Sequence, residues 1–109
     1  MDSSSDFVAR VGGVHLAELL PMTVLLIRTR NSEYRVVVME GSTVCVQGGA
    51  FFAEPMCAQV TAASIGSSCR KFGWIAVGLR MELDVAGIRV LTSPVLAITR
   101  QRPAISVVH

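Results

Sequence analysis

Three arginines and one glutamate surround a turn in the stretch RTRNSEYR, residues 28–35. Asn31 and Ser32 are common turn formers, and apolar, strand-like runs flank the stretch on both sides. Because side chains alternate along a strand, a hairpin with a two-residue loop places all four charged side chains on one face. They are Arg28, Arg30, Glu33 and Arg35. In this register Arg28 lies opposite Arg35, a like-charge pair that lowers stability.

This patch carries a net charge of +2, because three cations accompany one carboxylate. The planar guanidinium group forms paired hydrogen bonds with carboxylates and phosphates, so the patch suits a partner that carries either group. We therefore take Arg28, Arg30 and Arg35 as candidate partner-binding residues. The alternative is a solvated sheet face, where exposed ion pairs contribute little to stability.

A second basic stretch, CRKFGW at residues 69–74, mixes cations with aromatic rings. Proteins that bind single strands stack bases on aromatic rings and hold the backbone with cations. A nucleic-acid-binding barrel that uses Arg70, Lys71, Phe72 and Trp74 is therefore the alternative function. Against it, the whole chain carries a net charge of only +2, whereas nucleic-acid-binding domains concentrate positive charge more strongly. The bland interpretation places the basic pair in a loop and the Trp74 ring in the core.

Other reactive residue types form no recognisable site. Cys45, Cys57 and Cys69 are spaced by twelve, whereas structural zinc sites place ligands two to four residues apart. Glu82 and Asp84 share one face of a regular strand, and a water-facing sheet surface explains them. The glycine-rich loops match no phosphate-binding or dinucleotide-binding pattern. The sequence therefore assigns no catalytic, cofactor-binding or metal-ligating residue, expects no cofactor, and favours a binding module over an enzyme.

The clearest element that could position these residues is GWIAVGLRMELDV, residues 73–85, in which apolar and polar residues alternate. The period of two predicts a strand with one buried face, and its length predicts a bend or bulge near Gly78. The face expected to be buried consists of Ile75, Val77, Leu79, Met81, Leu83 and Val85. The opposite face consists of Trp74, Ala76, Gly78, Arg80, Glu82 and Asp84.

Branched and aromatic residues predict further strands elsewhere, at 22–29, 33–40, 44–47, 56–64, 88–92 and 95–100. Gly87 marks a hairpin turn, and Pro94 belongs at an edge, a strand start or a bulge. Connections are expected at 41–43 as a tight reversal, at 48–55 as a longer loop and at 65–71 as a loop of small residues. A short helical turn is expected near 15–20, residues 6–11 suit either strand or helix, and 104–109 are a candidate edge or swapped strand.

About six or seven short strands with tight connections predict an all-β domain that must close or fold over to bury its apolar face. We expect a small single-domain barrel of the SH3/Sm-like or a similar kind, with a compact β-sandwich as the alternative. Residues 1–6 are expected to form a flexible leader and 7–109 the single β domain, which suits a chain of 109 residues.

The composition points to association with a partner. Apolar residues make up 51% of the chain and charged residues 17%, below the usual share of about 25%. We therefore expect a homo-oligomer, and a protein partner by strand addition is possible at an exposed edge. No apolar run reaches the roughly 20 residues of a membrane span, and the odd number of cysteines favours a reduced, cytoplasmic setting. The predicted function is a non-enzymatic, self-associating small β-barrel that serves binding or assembly.

Overall fold

Ten β-strands and one 3-10 turn make up the part of the chain that the structure, a computed structural model, describes: residues 8–65 and 69–101. The strands are β1 (Val8–Val11), β2 (Gly13–His15), β3 (Val24–Thr29), β4 (Glu33–Glu40), β5 (Thr43–Gly48), β6 (Phe52–Ile65), β7 (Cys69–Phe72), β8 (Trp74–Ala76), β9 (Arg80–Val85) and β10 (Ile88–Gln101). The 3-10 turn spans Leu16–Glu18, where a helical turn was expected. The prediction of an all-β fold is confirmed.

Antiparallel pairing joins most of these strands into one sheet that closes on itself. Seven strands follow one another in the order β1-β10-β3-β4-β5-β6-β7, and β9 pairs with both β10 and β6. The pairings therefore close a ring of six strands, β3-β4-β5-β6-β9-β10, which we call the six-stranded ring. Such closure lets a small sheet bury its apolar face inside. The short strands β2 and β8 pair with each other in a separate ribbon.

The interior of the six-stranded ring is apolar and closely matches the predicted strand faces. Its largest fully buried side chains include Phe52, Leu25, Ile27, Leu83 and Ile98. They alternate with outward-facing positions, as the period of two requires. The ring thus provides a rigid scaffold whose outer face is available for contacts.

The stretch 73–85 follows its prediction in part. Ile75, Met81 and Leu83 are buried. The predicted strand is interrupted between β8 and β9 at Gly78, whose φ of 90° glycine adopts readily. Val77 lies in that break and is exposed, so its predicted burial is wrong. The predicted water-facing position of Glu82 is also wrong, because its carboxylate is completely buried on the outer face of the ring.

Two connections differ from expectation. The loop predicted at 48–55 is a tight turn of three residues, because β6 already begins at Phe52, opposite Gly48. The loop predicted at 65–71 contains strand β7, so Arg70 and Lys71 lie in a strand. Pro94 sits where the pairing of β10 with β9 shifts, and this fits its predicted place at a bulge.

The turn at Gly87 is confirmed, with positive φ at both Ala86 and Gly87. Residues 1–6 and 104–109, predicted as a leader and a final strand or tail, lie outside the described residues. Within the described residues, no helix is long and apolar enough to cross a membrane.

Candidate functional site

The predicted arginine patch lies in a cleft on the outer face of the sheet, across strands β1, β10, β3, β4 and β5. The cleft has a volume of about 460 Å³ and is lined by Arg10, Leu26, Ile27, Arg28, Glu33, Tyr34, Arg35, Gln47, Ala97 and Thr99. We call it the arginine groove. Its size is within the usual range for ligand sites, roughly 300–1,000 Å³.

Strand register explains why these side chains meet. Arg10 lies beside Thr99, Thr99 beside Leu26, and Leu26 beside Arg35, which in turn lies beside Gln47. One row of outward-facing side chains therefore crosses five strands. Since neighbouring strands are about 4.8 Å apart, the backbones at Arg10 and Arg35 are about 14 Å apart. Arg28 lies in the next row, between Ala97 and Glu33.

The hairpin that presents Arg28 and Arg35 has the predicted faces but not the predicted register. Its loop has four residues, 29–32, closed by a hydrogen bond of 2.8 Å from the Thr29 amide to the Ser32 carbonyl oxygen. Arg28 consequently lies opposite Glu33, and the expected Arg28–Arg35 pair is wrong. Because the shift is by two residues, the paired residues Arg28, Glu33 and Arg35 keep their predicted face.

The structure separates the third predicted arginine from the other two and adds a new one. Arg30 is exposed in the four-residue loop and does not line the groove. Arg10 lines it instead, because β1 pairs with β10 next to β3. Sequence reasoning missed Arg10, since no local pattern shows that the start of the chain pairs with its end.

The three groove arginines have no carboxylate partner within residues 8–65 and 69–101. The ion pairs there involve His15 with Glu18, and Arg70 and Arg89 with Glu82. Even Glu33, which lies opposite Arg28 in the ladder, makes no such pair. The groove therefore holds three cations and one anion that are not engaged in ion pairs with any other described residue and are open to a ligand.

The second predicted patch divides into two pairs on opposite faces of β7. The Arg70 guanidinium lies 4.7 Å from the centre of the Phe72 ring. The Lys71 ammonium lies 4.9 Å from the centre of the Trp74 ring, on the other face of the strand. Because alternate residues point apart, these four residues do not form one surface on which several bases could stack.

Arg70 is also engaged by a buried carboxylate. Its Nε and Nη2 atoms donate hydrogen bonds of 3.2 and 2.8 Å to the two oxygens of Glu82, and Nη2 of Arg89 lies 3.3 Å from Oε1 of Glu82. The Glu82 side chain is 1% exposed, whereas those of Arg70 and Arg89 are 38% and 62% exposed. The two arginines thus cover the carboxylate from the solvent side.

The charge state of Glu82 follows from this cover. Burial by itself raises the pKa of Glu82, but the hydrogen bonds and charge of Arg70, together with Ser64 and Arg89, outweigh burial and lower the pKa below 4.5. Glu82 is therefore an ionised structural residue at neutral pH.

No protein-family model, curated protein or solved structure shows a significant match to this chain. Functional interpretation therefore comes from the site itself. The arginine groove combines a cavity with a net positive charge that no ion pair among the described residues compensates, and this combination is suited to non-covalent binding of an anion.

Proposed function

We propose that this protein is a non-enzymatic binding module whose arginine groove holds an acidic segment of a protein partner. One observation carries the proposal: Arg10, Arg28 and Arg35 come from three strands, line one cleft, and lack a carboxylate partner among the described residues. Each guanidinium group offers a planar fork that fits a carboxylate.

The other groove residues favour a protein segment over a nucleic acid. Leu26, 39% exposed, and Ala97 form an apolar floor that suits the methylene groups of acidic side chains. Glu33 lies among the groove arginines, and a peptide can place an uncharged residue beside this carboxylate, whereas a phosphate backbone carries a charge at every nucleotide. The lining contains one aromatic residue, Tyr34, which is partly buried and meets Phe52 edge-on with the ring centres 6.4 Å apart, whereas single-strand binding uses several rings on which successive bases stack.

Peptide binding tests the proposal directly. We expect a fluorescently labelled glutamate-rich peptide to bind and a matched glutamine-rich peptide not to bind, with fluorescence anisotropy as the readout. Replacing Arg35 or Arg10 by alanine should weaken binding about tenfold, because a hydrogen bond to a charged group contributes a net free energy of about 1.5–3 kcal/mol and tenfold corresponds to about 1.4 kcal/mol. Binding should also weaken as salt rises.

A matched control comes from the opposite side of the same strands. Arg100 neighbours Thr99 on β10, faces away from the groove and is exposed, so Arg100→Ala should bind the glutamate-rich peptide like the parent. Equal weakening by Arg100→Ala and Arg35→Ala would show a non-specific charge effect and contradict the proposal. If a single-stranded oligonucleotide of equal charge instead binds more tightly than the glutamate-rich peptide and loses that binding on Arg35→Ala, the result would contradict the acidic segment and identify a nucleic acid as the ligand of the groove.

Self-association is the second part of the proposal. In residues 8–65 and 69–101, twelve large apolar side chains are at least 39% exposed. Three of them come from neighbouring segments, the connection between the 3-10 turn and β3 on one side and the end of β4 on the other. The Met22 amide donates a hydrogen bond of 2.7 Å to the Val38 carbonyl oxygen and so joins the two segments. These three are Leu20, Met22 and Met39. A second copy of the chain would remove this apolar surface from water.

Light scattering coupled to size-exclusion chromatography tests this part. We expect an oligomer when the protein is at a concentration on the order of tens of micromolar, which corresponds to a modest association free energy. Met39→Glu should shift the protein toward monomer, and Glu54→Gln, a change on the exposed part of β6, should leave the mass unchanged. A parent protein that stays monomeric at these concentrations would contradict self-association without affecting the groove.

A further inference from the structure

Two cysteines face each other across neighbouring strands. Cys45 of β5 lies directly opposite Cys57 of β6 in the antiparallel ladder. Neither cysteine is in a disulfide; Cys57 is exposed and Cys45 is partly exposed. Their separation of twelve in the sequence arises because the β5–β6 hairpin turns midway between them.

The hydrogen-bond pattern shows which kind of pair they form. The Val60 amide donates to the Ser42 carbonyl oxygen over 2.9 Å. Thr43 and Gln59, which lie just inside this bond, are therefore a non-hydrogen-bonded pair. Pairs alternate along the ladder, so Val44 with Ala58 is hydrogen-bonded and Cys45 with Cys57 is again non-hydrogen-bonded.

Non-hydrogen-bonded pairs are the ones whose side chains come closest. Their Cα atoms are about 4.5 Å apart, and this falls within the range of about 4.4–6.8 Å that disulfides span. Hydrogen-bonded partners are about 5.5 Å apart and hold their side chains farther from each other. The register of β5 and β6 thus places two solvent-accessible thiols within bonding reach without any movement of the main chain.

We propose that Cys45 and Cys57 form a redox modification site, closed to a reversible disulfide by a small-molecule disulfide such as oxidised glutathione. The exposed Cys57 thiolate attacks one sulfur of the reagent, which forms a mixed disulfide and releases one reduced thiol. The Cys45 thiolate then attacks the Cys57 sulfur and releases the second reduced thiol. Two protein thiols are oxidised, one reagent disulfide is reduced to two thiols, and the two protons of the protein thiols go to the released thiolates.

The site is independent of the proposed ligand. Cys45 precedes Gln47 by two residues and lies on the same outer face of β5. The cysteine pair therefore belongs to the row of outward-facing side chains next to the row that lines the groove. The disulfide bridges β5 to β6 and leaves Arg10, Arg28 and Arg35 on their own strands.

Thiol counting and mass spectrometry of the folded full chain test the proposal. After incubation with oxidised glutathione, the parent should lose two of its three titratable thiols, and its mass should fall by the two hydrogens lost. Dithiothreitol should restore all three. Peptide mapping should place the bond between the peptides that contain Cys45 and Cys57.

Serine variants make the assignment specific. Cys69→Ser should still close the disulfide, with no thiol remaining, whereas Cys45→Ser and Cys57→Ser should each stop at a glutathione adduct. The circular dichroism spectrum of each variant checks that it is folded. Persistent adducts on Cys45 or Cys57 of the parent, or a bond that joins two chains or uses Cys69, would overturn the proposal.

Discussion

At the scale of single residues, the sequence predicts the sheet face on which a side chain lies more reliably than the residue opposite it on the adjacent strand. The alternation in residues 28–35 correctly placed Arg28 and Arg35 on one outer face. The loop length decides which residues oppose one another, and four residues in place of two changed the neighbour of Arg28 from Arg35 to Glu33. Glu82 occupies its predicted outer face too, but Arg70 of β7 and Arg89 of β10 cover it, and the alternation within β9 does not show this.

Glu82 gives the protein a specific acid sensitivity. Its pKa is lowered on folding, so the unfolded chain takes up its proton first as the pH falls. The stabilisation from Glu82 is thus complete above the usual value of 4.5 and is lost as the pH falls through the lower pKa of the folded state. We expect Glu82→Gln to remove this part of the acid dependence in urea unfolding measured from neutral pH to about pH 3.

The same substitution should cost about 1–2 kcal/mol at neutral pH, because three charge-assisted contacts are lost while both partly exposed arginines regain water. Glu54→Gln is the control, since Glu54 is exposed on β6. Parallel pH profiles of Glu82→Gln and the parent would contradict the assigned role of Glu82.

At the scale of elements, strands were predictable and their irregularities were not. Strands β3, β4 and β9 follow runs of branched and alternating residues. The pairing of β5 with β6 shifts register between Val46 and Gly48. A regular ladder continued from the tight turn would therefore pair Cys45 with a residue other than Cys57. Bulges of this kind arise from tertiary twist and closure, which a single strand's sequence does not encode.

Gly48 is the residue on which this irregular corner depends. Its φ is 134°, and a Cβ added there would overlap the carbonyl oxygen of Glu33 on the neighbouring strand. We expect Gly48→Ala to destabilise the protein by about 3 kcal/mol or more, because both backbone strain and a backbone clash oppose it. Chemical denaturation followed by Trp74 fluorescence measures the change.

Gly41 supplies the matched control in the turn between β4 and β5. It also has a positive φ, 61°, but an added Cβ would meet nothing within 4 Å. Gly41→Ala should therefore show the conformational cost alone, about 1–2 kcal/mol. Equal losses at the two positions would mean that the close approach of β4 and β5 at Gly48 is not needed for stability.

At the scale of the whole molecule, closure of the sheet was expected from its apolar faces, but the path of closure was not. The hairpins β3–β4, β4–β5, β5–β6 and β9–β10 join neighbours in sequence. The contacts that complete the ring, β10 with β3 and β6 with β9, join distant segments. Pairing of β1 with β10 has the same origin, and it brings Arg10 to the groove. The site is consequently a product of topology more than of any one motif.

Ring closure makes a prediction about local stability that hydrogen–deuterium exchange can check. Strand β9 pairs on both sides, with β6 and β10, whereas β1 and β7 stand at the two ends of the strand order. Opening an end strand breaks one ladder, but releasing β9 breaks two and opens the apolar interior. Amides of β9 should therefore exchange only through global unfolding, and those of β1 and β7 by faster local opening. The measurement needs dilute, monomeric protein, because a second copy over an end strand would slow its exchange. Protection of β1 and β7 equal to that of β9 under these conditions would show that a closed ring with two weaker end strands is the wrong description of the molecule.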